Sequence, residues 1–167
     1  MPVMFCKMPL GIFRVEEENG ALTRIEYCGA TGTPSALVPA LAVREPTPLL
    51  REAHAQLSAF FEGRLRGLDL PLAPRGTEFQ LRVWEELRGI VWGEVRTYGE
   101  VACALGMPRA ARAVGMACKS NPLLIAVPCH RVIGAGGRLA GFACGLDMKR
   151  FLLALEGVSL VGPRGER

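Results

Sequence analysis

Apolar and polar residues follow strand spacing at the start of the chain and helical spacing over most of the remainder. Residues 3–28 carry a β pattern. Residues 12–17 form an extended run, Asn19-Gly20 is a strong hairpin turn, and residues 21–28 are the returning strand. Residues 29–46 are rich in Gly, Thr, Pro and Ser and predict a loop. Thr47-Pro48 then opens a helix, with threonine as N-cap and proline in the first turn. Leu50, Ala53, Leu57 and Phe60 or Phe61 make its apolar stripe, and Gly63 ends it. His54 lies beside that stripe and is expected to be a boundary histidine. Residues 68–72 predict a short strand.

Ala73-Pro74-Arg75-Gly76 is the expected domain linker. Thr77 with Gln80 three residues later has the form of a capping box. The helix it opens runs through Phe79, Val83, Trp84 and Leu87 and stops near Gly89, with Trp84 in the core. Residues 98–105 form a short helix, Gly106-Met107 a tight turn, and Pro108 is expected to open a second helix. Length and punctuation are those of a helix-turn-helix. Ala110, Ala113, Val114 and Ala117 would face inward, while Arg109, Arg112 and Lys119 fall largely on another face with Ala111 and Gly115. Small residues among arginines let a helix backbone approach a partner closely. Asn121-Pro122 breaks this helix and leads into an apolar run, residues 123–127, expected to be a strand ending at Cys129. Gly134-Ala135-Gly136-Gly137 is a turn that lacks the Lys-Ser/Thr ending of a phosphate loop. A loop covers residues 139–145, and residues 146–156 predict an amphipathic helix with Phe151, Leu152 and Leu155 inward. Residues 161–167 predict a frayed tail.

Composition narrows the picture. The 167 residues suffice for one domain or two small ones, and 50% are hydrophobic. There is no apolar run of membrane-spanning length and no signal-peptide pattern, so a cytoplasmic protein is expected. The 6 cysteines are then expected to be free thiols. No C-x-x-C pair occurs, His54 and His130 are the only histidines, and no metal site is expected. The net charge of +4 is modest, but Arg109, Arg112, Lys119 and Arg131 fall in a stretch with no acid between Glu100 and Asp147. A local basic field of this kind suits a polyanion.

Cys129-His130 is the chemical candidate. The thiolate is the reactive form, and a free cysteine's pKa of about 8.5 leaves few thiolates at neutral pH. A base beside it can supply the rest. On an extended chain neighbouring side chains point oppositely, so His130 would need a twist or a bridging water to reach the sulfur. Glu156 stands at a helix end where the dipole disfavours a carboxylate; orienting a histidine would be one reason for it, simple solvent exposure another.

Pro128-Cys129-His130-Arg131-Val132-Ile133, Asn121-Pro122, the Arg-Ala-Val-Gly of residues 112–115, Thr97-Tyr98-Gly99-Glu100 and residues 152–157 occur in an order and spacing that resemble the O6-alkylguanine-DNA alkyltransferases. The resemblance is close over residues 74–157 and weaker over the first 72. It implies an α+β protein. A small N-terminal α/β support domain with an antiparallel sheet (1–72) would precede a linker (73–76), then a mostly helical, winged-helix-like helix-turn-helix domain (77–160) and a tail. It implies direct-reversal DNA repair, a single-turnover transfer of the alkyl group from O6-alkylguanine, and from O4-alkylthymine, to Cys129. His130 would take the thiol proton through a water, and Glu156 would hold His130. Asn121 would fix the turn before the active-site segment, and Tyr98 would donate a hydrogen bond to the guanine or its phosphate. Arg112 would fill the gap left by the extruded nucleotide and Ala111 would lie in the minor groove. Thr97, Arg109, Gly115 and Lys119 would join them in contacting DNA. The carbonyls of Cys129 and Val132 and the amide of Ala143 would read the guanine edge, with Cys118 and Phe142 also lining the base pocket. No cofactor is implied. The partner would be double-stranded DNA carrying the lesion, without a membrane, and the protein a monomer.

The chain departs from the family pattern in places. Val91-Trp92-Gly93 stands where Ile-Pro-Tyr/Trp-Gly is common, Leu124 where some members have proline, and Phe142 and Cys144 where tyrosine and glycine are usual. Cys144 would narrow the alkyl pocket against bulky groups. Cys6 and Cys28 are not at the metal-ligand positions some members use. The rival readings are a lesion-binding relative without transfer activity, a helix-turn-helix transcription regulator, and a thiol hydrolase that turns over.

Overall fold

A computed structural model describes residues 1–30 and 46–160. Most of the loop expected at 29–46, and the tail expected at 161–167, lie outside the described residues. The fold is α+β. By internal contacts the chain divides into two units, one of Met1–Arg75 with Pro122–Ala126, the other of Gly76–Asn121 with the chain from Val127 onward.

The first unit is built on an antiparallel sheet of order β1-β2-β3, with β1 Val3–Met8, β2 Gly11–Glu18 and β3 Ala21–Tyr27. Asn19 and Gly20 both take positive φ (51° and 78°), the conformation a tight two-residue hairpin demands. Alternation puts Phe13 and Val15 of β2 into the core, and on β3 both Leu22 and Ile25 are buried although three residues apart, because the pairing shifts register at Glu16/Glu17. Helix α1, Pro48–Phe61, covers this face. Thr47 caps it by accepting from the Leu50 amide, and Leu50, Ala53, Leu57, Phe60 and Phe61 are buried as their spacing predicts. The rings of Phe13 and Phe61 meet at 5.5 Å. His54 is fully on the solvent side.

Residues 68–72 do not form the expected strand. Only Leu72 bridges, pairing with Leu22. Pro71 has no N–H to give a ladder, and the Asp69 amide is taken by the Gln56 side chain at 2.8 Å. Residues 123–127 are not a regular strand either. Leu123 makes a single bridge with Ile25, and the Leu124 amide donates to the Ile25 carbonyl at 3.0 Å. Ile125 then turns the chain at φ 71°, a conformation costly for a β-branched residue.

The second unit holds α2 (Glu78–Arg88), β4 (Arg96–Thr97), α3 (Tyr98–Ala104), α4 (Ala111–Lys119), β5 (Val132–Ile133) and α5 (Leu146–Leu155). Capping boxes open α2 at Thr77/Gln80 and α3 at Thr97/Glu100. Trp84 is buried on α2 and donates its indole N–H to the Ala117 carbonyl of α4 at 2.9 Å. The second helix of the pair starts at Ala111, not Pro108. The Ala110 amide donates to the Met107 carbonyl at 2.8 Å, so Pro108 and Arg109 are the middle of a turn, where proline's fixed φ is at home. Its buried residues are Val114, Ala117 and Cys118. Ala113, about 100° round the helix from Val114, is exposed rather than inward. In α5 the buried side chains are Met148, Lys149, Leu152 and Leu153, while Phe151 and Leu155 are half-buried. Among the described residues no helix is long and apolar enough to cross a membrane.

Candidate active site

Cys129 does not end a strand. It is the first residue of a 3-10 turn, Cys129–Arg131, that follows Pro128 and leads directly into β5. The Val132 amide donates to the Cys129 carbonyl and closes the turn. Cys129, His130 and Arg131 are all buried, with Cys129 only 2% exposed. Because the turn is helical, the extended-chain geometry that set His130 opposite Cys129 does not apply here.

Asn121 fixes this segment from outside it. Its buried amide nitrogen donates to the Val127 carbonyl at 2.8 Å and to Cys129 Sγ at 3.2 Å. Burial pushes the Cys129 thiol up from its ordinary range. The Asn121 hydrogen bond, the charge of Lys149 and the amides of the turn oppose that push. The resting group is a thiol.

On the other side of the turn His130 Nε2 lies 2.7 Å from Glu156 Oε1, both buried. Burial lowers the His130 pKa, against the raising influence of the Glu156 carboxylate. Glu156 is the C-cap of α5. Arg131 grips it with two nitrogens, Nε to Oε2 at 2.9 Å and Nη2 to Oε1 at 2.9 Å. The Gly93 amide adds 3.0 Å to Oε2. Gly93 takes φ +80°, which turns that amide towards the carboxylate at no steric cost. Burial alone would raise the Glu156 pKa, but hydrogen bonds from His130 and Arg131 outweigh it and bring it to about 2. Arg131 is therefore a buried partner of Glu156, with a further bond to the Ile90 carbonyl at 2.6 Å, and not part of the basic surface expected from sequence.

Lys149 is the residue the sequence reading missed. Its side chain is fully buried, and Nζ donates to the Val132 carbonyl at 2.5 Å and the Ala140 carbonyl at 3.1 Å. It stands 5.8 Å from the Tyr98 ring centre and 5.9 Å from that of Phe142. Burial lowers its pKa. The signal was present, since Lys149 sits three residues before Leu152 and seven before Glu156, on the inward face of α5.

The remaining candidates gather at a groove of about 740 Å³. Thr97, Tyr98, Ala111, Arg112, Gly115, Lys119 and Phe142 line it. The parallel pairing of Arg96 with Val132 and Thr97 with Ile133 sets α3 beside the Cys129 turn. Tyr98 donates to the Ala140 carbonyl at 3.3 Å. Gly115 faces the Tyr98 ring, and a Cβ there would meet the ring at 3.7 Å, an ordinary packing distance. Arg112 and Lys119 are exposed. Arg109, in the turn before α4, and Ala143, in the 139–145 loop, are exposed and outside the lining. Cys118 and Val132 are buried and also outside it. No group of three or more His, Cys, Asp or Glu among the described residues is placed to hold a metal ion.

The buried protons of this site predict alkaline sensitivity. Burial pushes Cys118 and Tyr98 up to about 12 and raises Cys129 as well. The unfolded chain releases these protons first, so their contribution to stability is complete below the ordinary cysteine value near 9 and is lost as pH rises towards 12. The midpoint of urea unfolding is expected to fall steadily above pH 9. A midpoint constant from pH 8 to 11 would contradict the assignment.

The comparisons with known proteins converge. Residues 78–158 match the family model described as 6-O-methylguanine DNA methyltransferase, DNA binding domain. The chain is 58% identical over 113 residues to the methylated-DNA–protein-cysteine methyltransferase of Methanosarcina acetivorans, covering 68% of this chain and 72% of that one. It is 55% identical over 149 residues to that of Mycobacterium tuberculosis, covering 89% and 87%. The crystal structure of Mycobacterium tuberculosis OGT in complex with DNA superposes with a TM-score of 0.80, at 41% identity over 93% of this chain and 92% of that one. A buried Cys-Asn pair and the contact of His130, on the same turn as Cys129, with Glu156 at the end of α5 accompany these relatives, which show the family: the chain belongs to the methylated-DNA–protein-cysteine methyltransferases.

Proposed function

We propose that this chain repairs DNA by moving the methyl group of O6-methylguanine in a duplex onto Cys129, once per molecule, in the cytoplasm. Larger O6-alkyl groups and O4-alkylthymine belong to the same substrate class. The observation that carries the reading is the buried contact of His130 Nε2 with Glu156 Oε1 at 2.7 Å beside a cysteine whose sulfur is hydrogen-bonded by Asn121. DNA is the partner because the Mycobacterium tuberculosis relative was crystallised on it. The free cysteines fit a reducing compartment.

The chemistry follows from the residues. Glu156 is anionic at neutral pH and accepts the Nε2 proton, which assigns the imidazole lone pair to Nδ1. Nδ1 takes the Cys129 proton through a water, and Glu156 stabilises the imidazolium that forms. The thiolate sulfur then bonds to the methyl carbon while the carbon–O6 bond breaks. The electron pair goes to the guanine, which takes up one proton as it leaves, in balance with the one the thiol gave to His130. The product is a thioether. It offers water no carbonyl and thiols no disulfide, so the cysteine is not regenerated. Arg131 keeps Glu156 ionised and in place.

The target carbon lies in a stacked duplex, so the nucleotide must swing out at a cost of a few kcal/mol. Arg112 offsets that cost by entering the vacancy, while Lys119 and Arg109 hold phosphates. Arg112→Ala is expected to slow transfer from duplex DNA by about 30-fold or more, since about 2 kcal/mol of flipping energy is lost. Transfer from the free base should be unchanged, and equal losses on both would count against the flipping role.

The deciding experiment is incubation with a duplex bearing O6-methylguanine, followed by mass spectrometry of the tryptic peptides. One methyl group on the Cys129 peptide, and no lesion cleared beyond one per protein, is the expected result. Lesions cleared in excess of protein would point to a hydrolase instead.

A further inference from the structure

We propose that Met116 is a DNA-contacting residue that packs its thioether chain on the minor-groove floor beside the vacated base position. This rests on the function proposed above and adds a residue to it. Met116 is 62% exposed, and among the described exposed large hydrophobics it alone lines the groove beside Tyr98 and Arg112. Its position on α4 is not arbitrary. Arg112, Met116 and Lys119 stand at i, i+4 and i+7, so they form one stripe along about 10 Å of helix. The face opposite, Val114, Ala117 and Cys118, is spent on the core.

An apolar side chain between two cations, facing water, gains nothing in the free protein. Against a duplex the arrangement makes sense. Lys119 has a phosphate to reach on the groove wall and Arg112 enters the vacancy, and between those two anchor points lie sugar carbons and base edges. Ala111 and Gly115 beside Met116 are small, which lets α4 sink in. Met116 is then the long, adaptable side chain of that helix face, suited to an irregular surface next to an unstacked step. Methionine is among the apolar residues that serve as wedges at such steps. The contact is with uncharged surface, so it releases no counterions.

The test measures methyl transfer and equilibrium binding with a duplex carrying one O6-methylguanine, and transfer from the free base. Met116→Ala is expected to lower duplex affinity and transfer rate by about tenfold, the equivalent of a largely buried Met side chain. Free-base transfer and the slope of log affinity against log salt should not change. Met116→Leu should stay near wild type, and Met116→Gln, equal in length but polar, should behave like Met116→Ala. Lys119→Ala should instead reduce the salt slope by about 1. Unchanged duplex binding in Met116→Ala, or an equal loss on the free base, overturns the inference while leaving the function intact. A wild-type protein that takes no methyl group from either substrate sinks the function and this inference together. Met116 is exposed, so the fold does not depend on it.

Discussion

Cys129→Ala is expected to take no methyl group from any substrate, a loss of no less than about 10⁴-fold in transfer rate. Cys118, a second buried thiol of the same unit, is not expected to replace it. Cys118 is buried and pushed up to about 12 by that burial, whereas the Asn121 amide donates to Cys129 Sγ and opposes the same push there. Binding should survive the change, because Cys129 is 2% exposed and does not line the groove. Fluorescence anisotropy with a labelled lesion duplex is expected to give an unchanged affinity, while mass spectrometry finds no added methyl. Cys129→Ser should be equally inactive, since a buried hydroxyl is far harder to deprotonate than a thiol. Repair by the alanine variant would refute the acceptor assignment outright.

Glu156→Ala is expected to destabilise the protein by about 3–5 kcal/mol, the cost of leaving a buried cation without its counterion. The carboxylate receives Arg131 on both oxygens, His130 on one and the Gly93 amide on the other. Its removal strands the Arg131 guanidinium with the Ile90 carbonyl among the bonds described above. Urea unfolding measures the loss, and a change below about 1 kcal/mol would show that the pair is not structurally engaged. The double change Arg131→Met with Glu156→Leu should recover much of the stability, because apolar residues can replace a buried ion pair. It should not recover transfer, since His130 then has no anion behind it. The separation of the two readouts distinguishes holding the fold from holding the base. The pH window is acidic. With its pKa depressed to about 2, Glu156 contributes in full above its ordinary value of 4.5, and the contribution is lost as pH falls towards 2.

Local chemistry wrote much of this structure plainly into the sequence. The Asn19-Gly20 hairpin, the Thr47 cap and both Thr77 and Trp84 behave as their residue types require. Short-range patterns failed where a distant partner decided the outcome. The apolar run 123–127 looks like a strand, but a single bridge to Ile25 and the positive φ of Ile125 bend it instead. Pro108 looks like a helix start too, and here the reason is local, since the Met107 carbonyl draws the Ala110 amide into a turn. The His130–Glu156 contact was legible as an acid misplaced against a helix dipole that needed a reason. The burial of Arg131 and Lys149 was not, because charge on a sequence says nothing about which carboxylate or carbonyl will meet it. Only Lys149's spacing from Leu152 carried a hint.

Because Pro122–Ala126 belongs to the N-terminal unit while the residues on either side belong to the other, no cut at one peptide bond separates the two. A fragment beginning at Gly76 would keep Leu123, Leu124 and Ile125, all buried in the intact chain, yet lack the Ile25 backbone that pairs with them. Those three side chains would be bared to water within a few residues of the reactive sulfur. The 122–126 segment completes the N-terminal unit, and truncation at Gly76 would leave it as a sticky, aggregation-prone loop without its pairing strand.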